Sequence, residues 1–373
     1  MKKYPGLLFA LLLAACGGGG GGGGGGGSAT TSSAAPSSTS PKACTDGPYT
    51  TDATKVCTDS SGNLVTAYVY VQPNTVIPDG TVITADTTWP TSGSPYFLAG
   101  TVRVAPGVTL TIGDNTVVET YRTVPCTAGC VGTIPTKGII NVAGTLNVGN
   151  QGPVQLLGVT AANTSLTQDA GGGIVSITHT VLQDAFVQIS DAAPFSMTYS
   201  QATHLNVTPI VRNGVTTFEA GTNGYPRLSK SATVKGNTFV DSAAFAFDPS
   251  VFVQNNLFIN MVDPLVLIDA FPAGAQAPTG IAQWNSFLFK KDSPNVNRIV
   301  IESHGTYNAS TVHSLDFSNN FWGVTDNTTI QSRVLDSTDT SSPRLPNVIL
   351  YAPPLQNPDA ATPADPQSAT PNV

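Results

Sequence analysis

The sequence predicts an all-β protein wound as stacked parallel coils, and three observations carry that prediction. The chain is poor in helix formers, with three Glu beside twenty Asp and abundant Thr, Ser, Asn, Gly and Val, residues that favour strands and turns. Its body, roughly 300 residues long, has no stretch with the 3.6-residue apolar period of a helix. Short alternating runs fill it instead, punctuated by Gly, Asn, Asp and Pro, and those runs repeat.

The chain starts differently. Met1-Lys2-Lys3 is positive and Gly6 to Ala15 is an apolar run closed by small residues, the build of a signal peptide over residues 1–15. A membrane-spanning helix needs roughly 20 apolar residues, and the eleven glycines from Gly17 cannot extend the run. Leu13-Ala14-Ala15-Cys16 resembles the lipobox of bacterial lipoproteins. That resemblance implies that Cys16 is acylated, with palmitate among the chains, and Gly17 resembles the signal that sorts such proteins to an outer membrane. Several acyl chains anchor stably where one is marginal. Residues 16–43, glycines followed by a Ser/Thr/Pro run, have almost no apolar bulk and read as a flexible tether spanning about 30 Å.

Four cysteines remain, in two local pairs: Cys44 with Cys57, and Cys126 with Cys130. In an oxidising envelope they read as disulfides. Three connectivities are open, the two local ones being favoured; the first would close an N-terminal cap over residues 44–68. A metal site at "CTAGC" is the alternative, although no histidine stands near it.

Residues 69–351 carry the repeat. "VRVAPGVTLTIGDNTVV" from Val102 and "IINVAGTLNVGNQGPVQLL" from Ile139 align Val104 with Val142, Leu110 with Leu146 and Ile112 with Val148. A second series follows: "ITHTVL" from Ile177, "MTYSQA" from Met197, "VKGNTF" from Val234, "VQNNLF" from Val253, "AQWNSF" from Ala282 and "FSNNFW" from Phe317. Its fourth column is Thr180, Ser200, Asn237, Asn256, Asn285 and Asn320, and its sixth is Leu182, Ala202, Phe239, Phe258, Phe287 and Trp322. Parallel strands stacked about 4.8 Å apart put such positions above one another as ladders. Asparagine suits a corner because it tolerates left-handed backbone and its amide reaches the next coil. The shortest steps give one coil, and longer ones imply insertions at "RNGVTTFEAGTNGYPRLSK", "DAFPAGAQAPTG", "KKDSPNVNRIVIESHG" and the Cys126–Cys130 loop. An antiparallel sandwich is the competing reading. From Ala352 a proline every few residues makes residues 352–373 an extended, disordered tail.

Here the chain resembles the right-handed parallel β-helix proteins of the pectin-lyase-like class. "GVTLTIGDNTVV" is similar to their first coils, with Asn115 where a glycine is usual, and "NNFWG", Asn319 to Gly323, is similar to the motif of their last coils. Ile330, Asp336, Asp339 and "YAPPL" follow in the matching order. The resemblance implies fold more firmly than function.

The same class includes polysaccharide lyases and hydrolases, but their motifs are not intact. Ser303-His304-Gly305 is the nearest fragment, with Arg298 and Glu302 close in sequence, and it falls in an expected insertion. Asp184, Asp241, Asp263, Asp292 and Asp326 recur just after ladder positions, where they serve either as paired acids or as turn caps. His179, His204, His304 and His313 are scattered through different coils. No catalytic or metal residue is assigned and no cofactor is called for. A net charge of -7 argues against nucleic acid. The expectation is a lipid-anchored protein of the outer membrane or cell surface, with the membrane as one partner. Its β-helix is expected to bind a polysaccharide or surface protein, or to be structural, the enzymatic reading being the alternative.

Overall fold

The computed structural model describes residues 57–58, 64–65, 74–120, 138–162, 172–189, 194–212, 215–220, 227–228, 232–243, 246–247, 251–262, 265–269, 282–289, 301–305, 314–339 and 348–366. Cys16, Cys44, Cys126 and Cys130 lie outside these residues, as do the signal peptide, the tether and both proposed disulfides. Cys57 stands in a two-residue strand, Cys57–Thr58, paired antiparallel with Leu64–Val65.

The body is a parallel β-helix. Each coil lays down a strand on each of three faces in turn, as in Thr101–Val104, Thr109–Ile112 and Val117–Glu119. The next coil repeats this with Ile139–Val142, Thr145–Val148 and Val154–Leu157. Face one holds five parallel strands in the early coils, ending at Phe186–Gln188. A second five-stranded parallel sheet takes the same place in the later coils, from Arg227–Leu228 to Val334–Leu335. Face two runs as eight strands from Thr87–Trp89 to Ala282–Gln283. Face three runs as nine strands from Thr75–Ile77 to Ser286–Leu288.

Register follows from the alternation of side chains. Val142 pairs with Val104, Leu146 with Leu110 and Val148 with Ile112, and all six are buried. On face three the inward column is Val118, Leu156, Leu182, Ala202, Phe239, Phe258, Phe287 and Trp322. Its aromatic end stacks ring on ring: Phe239–Phe258 at 5.1 Å, Phe258–Phe287 at 5.2 Å and Phe287–Trp322 at 5.0 Å between centroids. These spacings follow the strand repeat of about 4.8 Å.

Three expectations change. Part of each of the two later insertions is sheet: Leu265–Asp269 runs into the start of one, Ile301–Gly305 ends the other, and the two pair in parallel. The segment around "RNGV" forms an antiparallel hairpin of Val207–Arg212 with Val215–Ala220, for which the Asn213-Gly214 dipeptide is the sequence signal. Residues 352–366, expected to be disordered, are placed without regular structure against the last coils. The Asp359 carboxylate accepts from Asn255 Nδ2 at 2.9 Å, Thr362 Oγ1 donates to the Trp284 carbonyl at 2.5 Å, and Leu355 N–H donates to the Asn320 carbonyl. Prolines cannot donate to a ladder but accept extended backbone, so isolated side-chain caps suffice to seat the segment.

The last coil is closed by chemistry near the "NNFWG" motif. Arg333, buried, donates to the Trp322 carbonyl at 2.5 Å and lies 4.8 Å over the Phe289 ring. Burial pulls its guanidinium below the ordinary arginine value, with Asp326 acting against this. Asp336 accepts from Ile349 N–H at 2.7 Å, and Asp326 caps the short helix Asn327–Gln331 through Thr329 N–H at 2.8 Å.

Candidate functional site

The fourth-column residues form one inward corner between faces two and three. Thr180 N–H donates to Ser200 Oγ at 3.1 Å, and Ser200 N–H to Asn237 Oδ1 at 2.9 Å. Asn237 N–H donates to Asn256 Oδ1 at 3.0 Å, Asn256 N–H to Asn285 Oδ1 at 3.0 Å and Asn285 N–H to Asn320 Oδ1 at 2.8 Å. Each asparagine amide also donates to a carbonyl of the preceding coil, as Asn256 Nδ2 does to Val234 O at 2.9 Å. All six are 2% exposed or less, so the column is structural and faces no ligand.

Surface chemistry lies on the outward side of face three. Of its outward residues, Phe97, Glu119 and Leu157 are buried early, beside an exposed Val76 and a half-buried Val117, and Thr238, Val240, Leu257, Ile259, Ser286 and Leu288 are buried late. An outward side chain is buried only under other parts of the chain. The three middle coils are open, with Gln155, Gln183 and Gln201 exposed and Val181 and Thr203 half-buried. Strand pairing places these five side by side, so they floor an open window bounded by the covered late end.

The window has two chemically different edges. On one, the corner preceding the strands, His179 stacks on Tyr199 with centroids 5.5 Å apart and planes at 22°. Asp114 stands near this edge. Partial desolvation raises its pKa, but N–H donors of Asn150, Gln151 and Gly152 and the proximity of His179 outweigh it, leaving the carboxyl below its usual value. On the other edge, the corner following the strands, Asp184, His204, Asp241 and Asn260 occupy successive rungs, each with left-handed backbone. His204 Nδ1 and Asp184 Oδ1 are 2.9 Å apart. Burial raises the Asp241 carboxyl above its ordinary value, with an Asn260 hydrogen bond and His204 opposing in part.

The sign of that shift makes a prediction. A carboxyl whose folded pKa is raised binds more protons folded than unfolded, so its contribution to stability falls as pH rises from about 4 through the folded value. Asp241→Asn, which keeps the left-handed tolerance, should therefore raise the melting temperature at pH 7. The gain should shrink as pH falls below about 4, and calorimetry across that range reads both.

Other sequence candidates are dispersed. His179 and His204 sit at opposite edges of face three and do not meet. Glu302 and His304 lie on the strand Ile301–Gly305, while Arg298, His313, Asp263 and Asp292 fall outside the described residues. Among the described residues no three His, Cys, Asp or Glu side chains are placed to share a metal ion, and no helix is long and apolar enough to cross a membrane.

The corner aromatics are what sequence reasoning missed. They occupy the third column of the six-residue series, His179, Tyr199 and Trp284 among Gly236, Asn255 and Asn319, and alignment of that column is the signal that finds them. Comparison with protein-family models, curated proteins and solved structures gives no match to this chain.

Proposed function

We propose that the protein is a membrane-anchored envelope or cell-surface lipoprotein whose β-helix, of the pectin-lyase-like kind, is a non-catalytic binding module for a carbohydrate polymer. The observation that carries this reading is the open window on face three. Its floor spans three rungs, about 10 Å along the stack and about 7 Å along the strands, and offers amides and a hydroxyl to a partner with many hydroxyls. An aromatic edge beside hydrogen-bonding groups is the usual composition of a small-molecule or sugar site. A rigid scaffold also holds such groups at fixed spacing without an ordering cost on binding.

A second reading, glycoside hydrolase, is favoured by the Asp184–His204–Asp241 column. The two acids stand two rungs apart, on the order of 9–10 Å, near the upper limit of about 6.5–9.5 Å for inverting glycosidases. One carboxyl has its pKa raised by burial and the other is paired with histidine, the asymmetry that acid and base roles require.

Incubation with a panel of acidic and neutral polysaccharides, measuring both retention and new reducing or unsaturated ends, separates the two readings. Retention without cleavage is the expected result. Cleavage abolished by Asp241→Asn would replace the binding reading with the hydrolase, and neither retention nor cleavage would remove both. The anchor is tested separately: Cys16→Ala should release the protein from membranes, and continued membrane fractionation with incorporated lipid would contradict the lipobox reading.

A further inference from the structure

Two backbone bonds fix one more rung beyond Asn320. Leu355 N–H donates to the Asn320 carbonyl as Phe321 N–H does to the Asn285 carbonyl, and Asn319 N–H donates to the Pro353 carbonyl as Trp284 N–H does to that of Asn319. The stretch "YAPPLQ" from Tyr351 is therefore a seventh member of the six-residue series, with Pro353 in the third column and Pro354 in the asparagine column. Among the described residues no rung follows it. The chain turns back along the corner instead, where Asp359 holds Asn255 and Thr362 holds the Trp284 carbonyl.

In the rungs from His179 to Trp284, two N–H groups at this corner point toward the following coil. The third-column N–H donates to a carbonyl there, from Tyr199 to Lys235 and from Gly236 to Gln254. The fourth-column N–H donates to a side-chain oxygen, from Asn256 to Asn285 and from Asn285 to Asn320. Proline has no N–H, so the terminal rung lacks both donors. Pro354 also brings no oxygen to receive the Asn320 N–H, and the ladder ends. On face two, Phe317 N–H donates to the Leu350 carbonyl, so Leu350 turns its backbone groups down the stack and its neighbour Ile349, in the strand Val348–Leu350, turns its own to the free edge. That donor is taken as well, because the buried Asp336 accepts it at 2.7 Å. Ala352, Pro353 and Gln356 are exposed, so this edge lies at the surface and its own chemistry decides whether another strand can join it.

We infer that this rung is a stop built into the stack, which denies its edge to a second copy of the chain. A stack of parallel strands ends in an open edge, and open edges template pairing between chains; proline on the edge is one way proteins blunt them. The partner excluded is a second copy because identical edges pair about a two-fold axis, each supplying the carbonyls that the other's donors need. With Pro353 and Pro354 at the corner and Ile349 already bonded to Asp336, the donors for such a pairing are withheld. The stop is independent of what the face-three window binds.

Sedimentation velocity of the full detergent-solubilised chain over a range of concentrations tests this. Wild type should sediment as one species throughout. Pro354→Asn restores an N–H on the free edge and places an amide oxygen in line with the Asn320 N–H, while Pro354→Ala restores the N–H alone. Both variants should keep their melting transition and self-associate at least about tenfold more tightly than wild type, since each pair of copies gains two bonds. Hydrogen exchange should then show new protection over residues 348–355 and none at Thr75–Ile77 in the first coil. Pro358→Ala, beyond the rung, should behave as wild type. Two variants that fold and stay as monomeric as wild type would overturn the stop, and so would a wild type that already pairs through residues 348–355. Self-association without new protection there would put the contact elsewhere and overturn it as well. Loss of the melting transition in both variants would show that Pro354 holds the rung together instead of closing it, with the same consequence.

Discussion

Phe258→Ala is expected to cost about 3–5 kcal/mol of stability. Phe258 is 1% exposed and lies between Phe239 and Phe287, with both ring planes within 10° of its own. Removing it deletes two stacked contacts at once and opens a cavity that neighbouring rungs cannot close, because strand pairing fixes their spacing. In denaturant, the midpoint should fall with little change in slope. The conservative Phe258→Leu should recover a good part of the loss, since it keeps most of the volume.

Asn256→Leu is the second large effect, expected at about 2–6 kcal/mol because it orphans at least two buried backbone groups at roughly 1–3 kcal/mol each. The Asn237 N–H loses the Asn256 Oδ1 acceptor, and the Val234 carbonyl loses the Asn256 Nδ2 donor. Both neighbouring amides also lose a partner. Asn256→Asp keeps the acceptor for Asn237 while losing the donor to Val234, and buries a charge at a site that is 0% exposed. Its stability should therefore recover as pH falls and the carboxyl protonates. A pH-independent loss would show that polarity at this position does not matter to the stack.

The inward columns were readable in the sequence because one physical constraint repeats at every coil. The hydrogen bonds of the fourth column join residues 20, 37, 19, 29 and 35 apart, the same steps that separate members of the series. Face one was not readable in the later coils. Leu265–Asp269 and Ile301–Gly305 share a register, but Val-Leu-Ile faces Glu-Ser-His, and no common column marks them as equivalent. The aromatic edge lay within the series yet passed unseen, because His, Tyr and Trp stand there beside the Gly and Asn that left-handed backbone favours, which blurs the column. The acid edge was visible only as scattered Asp and His residues. Asp184 and His204 become neighbours once the 20-residue coil is imposed, and Asp241 joins them only after the intervening hairpin is allowed for.

The stack itself is tested most directly by cross-linking across the longest well-placed step. Ser196 and Thr233 are 37 residues apart in sequence and pair on adjacent strands of face two, at a separation of about 4.8 Å between Cα atoms, within the range of about 4.4–6.8 Å that a disulfide spans. Ser196→Cys with Thr233→Cys should close a disulfide under mild oxidation, located by mass spectrometry of the digested chain. Ser196→Cys with Phe252→Cys, two rungs apart, should not. Efficient closure of the first pair alone is the result required by parallel coils in this register. Failure of that pair in a folded protein, or equal closure of both, would contradict it.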